Sequence, residues 1–510
     1  MMNGEVIMIN VIIPAAGEAT RLRPLTSNCS KSMVRIHGKP AIEYIIESIY
    51  KNANEVAEII IVDGKHNDIR EWVEKSSYTN IRCVKQGSFD GPRDAIFKGI
   101  DVLKDETLPL VVWLGDAIIL DDSLPLGTDF LLVKDVEDHF AWCMWDDKQY
   151  YNKPAETVPN AVALVGLYSF KDGAGASYAF ETKKYDISFA LEKYSQWTGN
   201  SFDRIYTNKW YDIGDIASYH RTCAEFLTFK ARTFNSFKYN PELNVVTKVP
   251  QYTSEFAVET VMNEKKWYEC LNSKQKMFVP KILDDDFGLS LSYESGTLLS
   301  DLLLHEDVPN STIDYLIEKV ILTIRNYFHD RPSLEFLKSF SANANEMWIK
   351  KTHERLQATE GLSDDTKQFY VEVAENCVKK ATPVQAMHGD LHFGNVLYNP
   401  YNDSITFIDP RGQYGNHSGC SGDHIYDLCK LSHDLYHGYS SMVNEKPYPA
   451  YVKESFSSII RKYYPNEYAE IIDGGALLIA TAISLHYDNA ERQKKMKDYV
   501  NDYADSSDRH

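Results

Sequence analysis

The sequence predicts an α/β protein: an opening region of alternating strands and helices, then a small α+β lobe, then a long, mostly helical segment. Three observations predict it. Strand-length apolar runs alternate with helix-period patterns from Val6 to about Ile119. The pattern changes to short β-type runs near Arg232, and from Thr297 onward it is mostly helical. Finally, 510 residues correspond to about three domains at roughly 100–200 residues each.

In order, Val11-Ile12-Ile13 reads as a buried strand that runs into a loop around Gly17. From Ala41 to Tyr50, Ile42, Ile45, Ile46 and Ile49 fall at i, i+3, i+4 and i+7 and make one helix face. Glu58–Val62 is the next strand, Asp68–Lys75 a helix, Ile81–Lys85 a strand, Asp94–Leu103 a helix and Leu108–Leu114 a strand. This alternation predicts a parallel sheet covered by helices, a doubly wound, Rossmann-like opening. Ala161–Phe170 reads as a further strand and Ala217–Lys230 as the helix that closes the first domain, 1–231. The second lobe, 232–296, has short β-type runs to Pro250, a helix from Glu255 to Leu271 and strand-like Gly288–Tyr293. The third region, 297–510, is helical apart from a hairpin-like interruption at Asn395–Ile408, and Asp502–His510 reads as a solvated tail.

The composition is 44% hydrophobic and 25% charged, which suits sizeable cores and excludes disordered or collagen-like architecture. Lys and Arg number 54 against 73 Asp and Glu, a formal charge of −19 that repels nucleic acid and anionic lipid. No nucleic-acid or membrane partner is expected, and any phosphate ligand must be held by local features. The apolar runs Val6–Ala16 and Ala476–Leu485 are shorter than the roughly 18–20 residues that span a bilayer. With no signal-peptide pattern at its start, the chain reads as cytoplasmic. Eight cysteines without a C-x-x-C pair argue against a disulfide scaffold or structural zinc site and read mostly as buried filler. The oligomeric state is open, a homo-oligomer included.

Two constellations carry chemistry. In the first, the opening strand runs into Ala15-Ala16-Gly17-Glu18-Ala19-Thr20-Arg21-Leu22-Arg23-Pro24, with Lys31 on the same connection. Small residues let backbone N–H groups approach phosphate oxygens, and Arg21 and Lys31 can neutralise them. By itself such a loop is equally a solvated surface turn. Two carboxylates change the balance: Asp116 in Leu114-Gly115-Asp116, at the C-terminal end of a predicted parallel strand, and Asp212 in Trp210-Tyr211-Asp212-Ile213-Gly214. A converging Asp pair suits Mg²⁺, which bridges carboxylates to substrate phosphates.

The run AAGEATRLRPLT, Lys31-Ser32-Met33, Gly38–Tyr44, Gln86-Gly87 with Gly91-Pro92, Leu114-Gly115-Asp116, Val165–Tyr168 and WYDIG at 210–214 together resemble the sugar-1-phosphate nucleotidylyltransferases over about residues 8–230. The resemblance implies attack of a substrate phosphate on the α-phosphorus of an NTP, giving an NDP-activated product and pyrophosphate. It implies Ala16 and Gly17 at the nucleotide's phosphates and Gln86 and Gly91 near its base. Arg21 would stabilise the triphosphate, Lys31 position the reacting phosphates, and Asp116 with Asp212 hold Mg²⁺. Ala19 stands where the family usually has Gly, Arg35 where it has Pro, and Asp215 where Thr is common.

In the second constellation, His388–Tyr398 (HGDLHFGNVLY) is followed by Ile405-Thr406-Phe407-Ile408-Asp409-Pro410. Phosphotransferases need a carboxylate near the acceptor hydroxyl and oxygen ligands for Mg²⁺ on ATP, and Asp390, Asn395 and Asp409 can fill these roles. The segment resembles the aminoglycoside phosphotransferase and choline kinase group, over about 232–500, which implies a two-lobed protein-kinase-like fold. On that resemblance Asp390 is catalytic, Asn395 and Asp409 hold Mg²⁺, Lys248 contacts ATP phosphates and Glu264 pairs with Lys248. LSYESG at 291–296 leads to the adenine hinge, and Asp423 and Asp427 support the catalytic loop.

The two chemistries couple: a kinase phosphorylates a small alcohol with ATP, and a transferase joins that phosphate to a second NTP (CTP, UTP, dTTP or GTP). A sugar or polyol acceptor and a role in surface polysaccharide synthesis are expected. Three alternatives stay open. One is a choline or ethanolamine kinase with a phosphocholine-type cytidylyltransferase, which would need an aromatic cage from residues such as Trp142, Trp145 and Tyr436. Another is a non-catalytic, regulatory domain. The last is an antibiotic-resistance kinase.

Overall fold

The computed structural model describes residues 7–23, 25–27, 29–87, 91–181, 186–227, 235–283, 288–487 and 489–506. The chain divides into two compact units, Met1–Phe226 and Leu227–His510. The expected boundary at 231/232 lies outside the described residues.

The first unit is built on a mixed sheet. Met8–Ala15 lies at its centre, parallel to Glu55–Asp63 on one side and Leu110–Trp113 on the other, with Ile12 opposite both Ile60 and Val112. Ile81–Lys85 extends the parallel half. Alternate side chains of the central strand enter opposite layers. Val11 and Ile13 meet Ile42, Ile45, Ile46 and Ile49 of helix Ala41–Asn52, while Ile12 meets Ala95, Ile96 and Ile100. A strand buried on both faces is mostly apolar, which is why Val11-Ile12-Ile13 reads as an unbroken run, and the one buried polar residue of Met8–Ala15, Asn10, donates to the Asp105 carbonyl at 2.6 Å. Each fully buried Ile contributes about 1.5–3 kcal/mol.

The expectation of a parallel sheet is corrected in the other half. Val162–Phe170 runs antiparallel to Leu110–Trp113, to Phe130–Lys134 and to Cys143–Trp145. No βα crossover separates these segments, so they pair by reversal. A separate two-stranded ladder sets Trp210–Asp212 against Ala117–Ile119, with Asp212 opposite Ala117.

The second unit opens with a four-stranded antiparallel sheet in the order Asn235–Asn240, Val245–Pro250, Leu289–Ser292, Ile282–Leu283. Helix Glu255–Cys270, capped by the Ser254 hydroxyl accepting from Ala257 N, packs on it. Helices follow, interrupted by the hairpin Val396–Asn399/Ser404–Phe407, which pairs with Thr297–Leu298. Helix His424–Leu435 packs against Tyr468–Ala482. At Gly474 an added Cβ would lie 2.4 Å from the Cys429 sulfur, and at Gly475 2.5 Å from the Ser432 hydroxyl. Side chains of the first helix therefore lie directly on the glycine backbone of the second, where no side chain fits.

Two sequence expectations are revised here. The C-terminal tail begins later, because Ala490–Asp505 is a helix whose Met496, Val500 and Ala504 are buried; residues 507–510 lie outside the described set. Also, Tyr468–Leu485 is long and apolar enough by composition to cross a membrane, once the isolated Glu470 and Asp473 are tolerated. Two-thirds of that run (67%) is buried within the protein, with Ile471, Ile472, Leu477 and Ile479 in the core, the pattern of a central helix.

All eight cysteines are free, and four are buried as expected, whereas Cys270 is exposed. A hydrogen bond from Cys420 holds the Cys270 thiol down at about 6, against the opposing effect of burial. At pH 7 Cys270 is expected to be the first cysteine alkylated by iodoacetamide, because the thiolate is the nucleophile. Peptide mass spectrometry of a partial reaction, with Cys420→Ala slowing it, checks this.

Candidate active sites

In the first unit, the loops after Ala15 and after Trp113 leave adjacent parallel strands at their C-terminal ends, the place where open α/β sheets bind ligands. Gly115 makes this approach feasible: a Cβ there would fall 2.6 Å from the Ser32 hydroxyl and 3.0 Å from the Pro14 carbonyl oxygen. The Lys31 ammonium donates to the Asp116 carboxylate. The 117–119/210–212 ladder delivers Asp212 beside this pair. Burial, then the negative charge of Asp116, raise the Asp212 pKa, opposed by the Gly214 N–H and by Lys31. Two carboxylates crowded so that one resists ionisation form a site that a divalent cation relieves. Among the described residues no group of three or more His, Cys, Asp or Glu gathers as a metal cluster, so a divalent cation at Asp116 and Asp212 would take its further ligands from phosphate and water oxygens.

The remaining predicted residues surround this centre unequally. Ala16 is buried and Gly17 exposed. A Cβ on Gly17 would meet nothing within 4 Å, so protein packing does not require glycine there. Ala19 is left-handed at φ 47°, ψ 39°, which accounts for glycine at this position in the family it resembles. Ala19→Gly is expected to stabilise the unit by about 1 kcal/mol, since the left-handed conformation costs an L-residue about 1–2 kcal/mol and glycine's unfolded-state entropy returns part of it; thermal unfolding checks the sign. Arg21 is exposed and its charge acts on Asp215. The Gln86 amide donates to the Gly91 carbonyl (3.1 Å) and to Asp94 (3.2 Å), so the two predicted residues Gln86 and Gly91 lie side by side; residues 88–90 between them lie outside the described set.

The other two departures from the family pattern, Asp215 and Arg35, have local structural roles. Asp215 accepts from Ser218 N at 2.9 Å and so caps the helix Ile216–Leu227. Arg35 donates to the Gly38 carbonyl at 2.9 Å across a tight hairpin turn.

In the second unit, Lys248 Nζ lies 2.6 Å from Glu264 and 3.2 Å from Asp409. Burial disfavours the charge on Lys248, but Asp409 and Glu264 outweigh it and raise its pKa. Asn395 Nδ2 donates to the Asp390 carbonyl (2.9 Å) and to its carboxylate Oδ2 (3.2 Å). Ile408 N donates to the Asn395 carbonyl at 3.0 Å, locking the hairpin return that ends at left-handed Asp409, φ 55°. His388 bonds the Ile408 carbonyl through Nε2 at 2.9 Å, and burial lowers its pKa to about 4, so it is a neutral brace of the loop.

Sequence reasoning missed Lys430 and Asp434. Lys430 Nζ sits 2.8 Å from Asp390 Oδ1, and Asp434 accepts from Phe393 N at 2.9 Å. Asp427 accepts from His388 N and Gly389 N, both at 2.7 Å. Asp427, Lys430 and Asp434 recur at i, i+3 and i+7 on one buried helix face. That charged periodicity, set among Ile425, Leu428, Leu431 and Leu435 of the same helix, is the sequence signal that could have found them.

The aromatic residues considered for a choline cage are otherwise engaged. Trp142 packs edge-on against Trp210, Arg204 lies over Trp145 at 5.0 Å, and Lys453 lies over Tyr436 at 4.2 Å.

Residues 10–130 match the family described as Nucleotidyl transferase. This region is a nucleotidyltransferase domain. The bifunctional protein GlmU of Methanocaldococcus jannaschii is 31% identical over 171 residues, which covers 32% of this chain but only 40% of that protein's length. UTP–glucose-1-phosphate uridylyltransferase 2 of Staphylococcus saprophyticus is 26% identical over 277 residues, covering 42% of this chain and 90% of the relative. Among solved structures, a UDP-glucose pyrophosphorylase from Acinetobacter baumannii aligns with a TM-score of 0.37 at 16% identity, covering 44% of this chain and 95% of its own.

Proposed function

We propose that the chain is bifunctional: an ATP-dependent kinase in the second unit phosphorylates a sugar or polyol, and the first unit condenses that phosphate with an NTP. The proposed division is 1–231 for the transferase, 232–296 and 297–510 for the two lobes of a protein-kinase-like fold, all in the cytoplasm. The observation that carries the kinase half is the convergence of three distant segments, with Lys248 bonded to both Glu264 and Asp409 and Asn395 bonded to Asp390. These are the parts that phosphoryl transfer needs: a cation for the phosphates, oxygen donors for Mg²⁺ and a carboxylate for the acceptor hydroxyl.

On this reading Asp390 takes the hydroxyl proton as the bond to phosphorus forms, and Asn395 and Asp409 would hold Mg²⁺, which supplies charge neutralisation on the ATP phosphates. Lys248, kept charged by its two carboxylates, binds phosphate oxygens. In the first unit Lys31 and Arg21 bind the reacting phosphates, and the backbone at Ala16 and Gly17 lets them approach. The uridylyltransferase relative supports a hexose 1-phosphate with UTP as the first pair to test, which would place kinase attack at the anomeric hydroxyl. Such products feed surface-polysaccharide assembly.

The test supplies the full chain with ATP, Mg²⁺, alcohols and NTPs and analyses products by mass spectrometry. Coupled formation of an NDP-activated compound supports the reading. Failure of any alcohol to release ADP refutes the kinase half, and failure of every sugar 1-phosphate and NTP pair to release pyrophosphate refutes the transferase half.

A further inference from the structure

Around Asp390 the second unit gathers more positive charge than it neutralises. Asp390 stands between two environments: Oδ2 accepts from Asn395, toward the Lys248–Asp409 cluster, while Oδ1 faces Lys430 at 2.8 Å. On the Lys430 side lie three further cations. Arg411 packs over Gly389, where an added Cβ would come within 2.8 Å of the Arg411 Cβ, and its guanidinium reaches the Tyr426 hydroxyl at 3.5 Å. The Lys351 ammonium lies 5.9 Å from the centre of the same Tyr426 ring and 3.8 Å from the Met347 sulfur. Arg355, one helical turn further on, donates to the Thr481 carbonyl at 3.3 Å.

The charged groups facing Lys351 are Arg411, Arg355, Lys430 and Asp390, and Glu354 acts on Arg355. Among the described residues only Lys430 of these four cations has a carboxylate within ion-pair distance. All four are partly buried. Burial, then the charges of Arg411, Arg355 and Lys430, push the Lys351 pKa well below its ordinary value. Partly desolvated cations without counter-charges are costly, the more notable in a chain of net charge −19. Asn345–Lys350, one of two π-helical segments among the described residues, leads directly into Lys351, and such segments are frequent at functional sites.

We propose that this cluster binds a negatively charged group on the alcohol itself, so that the acceptor is an anionic hydroxy compound such as a sugar acid or sugar phosphate. The inference rests on the phosphotransferase reading. Two guanidinium groups suit the oxygens of a carboxylate or phosphate, an arriving anion favours the charged form of Lys351 that the neighbouring cations oppose, and docking that group beside Lys430 presents a neighbouring hydroxyl to Asp390. A cationic alcohol such as choline is repelled by the same charges.

Isothermal titration of the full chain with matched probes tests this: D-glucuronate and D-glucose 6-phosphate against D-glucose, D-glycerate against glycerol, and choline. At least one acid is expected to bind about tenfold or more tightly than its neutral counterpart. Lys351→Met and Arg411→Gln, with thermal unfolding checked for each, are expected to weaken that binding by about tenfold or more. Whether the carboxylate or the phosphate probe binds identifies the anion. The inference is overturned if no acid binds, if glucose, glycerol or choline binds as tightly, or if acid binding survives both substitutions. Failure of the kinase reading looks different: an acid binds and responds to both substitutions, yet no alcohol gives ADP release.

Discussion

Asp390→Asn is expected to lower alcohol-dependent ADP release by about 10²–10⁴-fold, the usual contribution of a general base, while pyrophosphate release from an NTP and supplied sugar 1-phosphate is unchanged. The substitution keeps the size of the side chain and its contact with Asn395 but removes the charge that Lys430 opposes at 2.8 Å. Burial acts to raise the Asp390 pKa, and Lys430 with His392 outweighs it and lowers the pKa overall. The carboxylate is therefore ionised across the physiological range and ready to accept a proton as one is released. A purely structural role would lower the melting temperature in step with activity. The expected result is loss of kcat with thermal unfolding retained, so paired kinetics and calorimetry decide between them.

Asp116→Ala is expected to have the reciprocal effect: loss of about 10³-fold in nucleotidyl transfer, corresponding to several kcal/mol of metal-dependent charge stabilisation, with alcohol-dependent ADP release retained. Its pH signature has a definite sign. Asp212 has a raised pKa because of burial and then the Asp116 charge, so protons compete with the metal above the ordinary carboxylate value of about 3.9. The acid limb of wild-type transferase activity is expected to move to lower pH as Mg²⁺ is increased. In Asp116→Asn, with the repulsion gone, the Asp212 pKa should fall, which carboxyl-resolved NMR titration reads directly. An unchanged Asp212 titration would show that burial alone raises it.

The elements that sequence revealed are those whose burial pattern is set locally, on one helix face or on both faces of a central strand. The isoleucines at 42, 45, 46 and 49 face one sheet, and Ile12 sits in a strand buried on both sides. The other half was less legible, since Phe130–Lys134 pairs antiparallel on one side with Val162–Phe170 and parallel on the other with Asp203–Tyr206, and no local pattern encodes partners that distant. The same limit applied to the sites. Spacing within 388–409 announced Asp390, Asn395 and Asp409, because the hairpin that unites them is local. Lys430 meets Asp390 only through tertiary packing, and the pairing of Lys31 with Asp116 bridges loops 85 residues apart. Arg35 and Asp215 stand out in the sequence only by their departure from a family pattern, and the contacts described for their side chains are those of a hairpin turn and a helix cap.

The glycine pair at 474–475 has a practical implication for engineering. It sets the helix bearing Asp427, Lys430 and Asp434 directly against a neighbouring backbone, with gaps too small for a methyl group. Close-packed contacts of this kind have few alternative positions to settle into. A library seeking new acceptors should therefore vary Lys351, Arg355 and Arg411, which branch from other segments, and leave 474–475 fixed. Changes at the pair would shift the supports of the 388–395 loop together and convert a search for altered selectivity into a screen for surviving proteins.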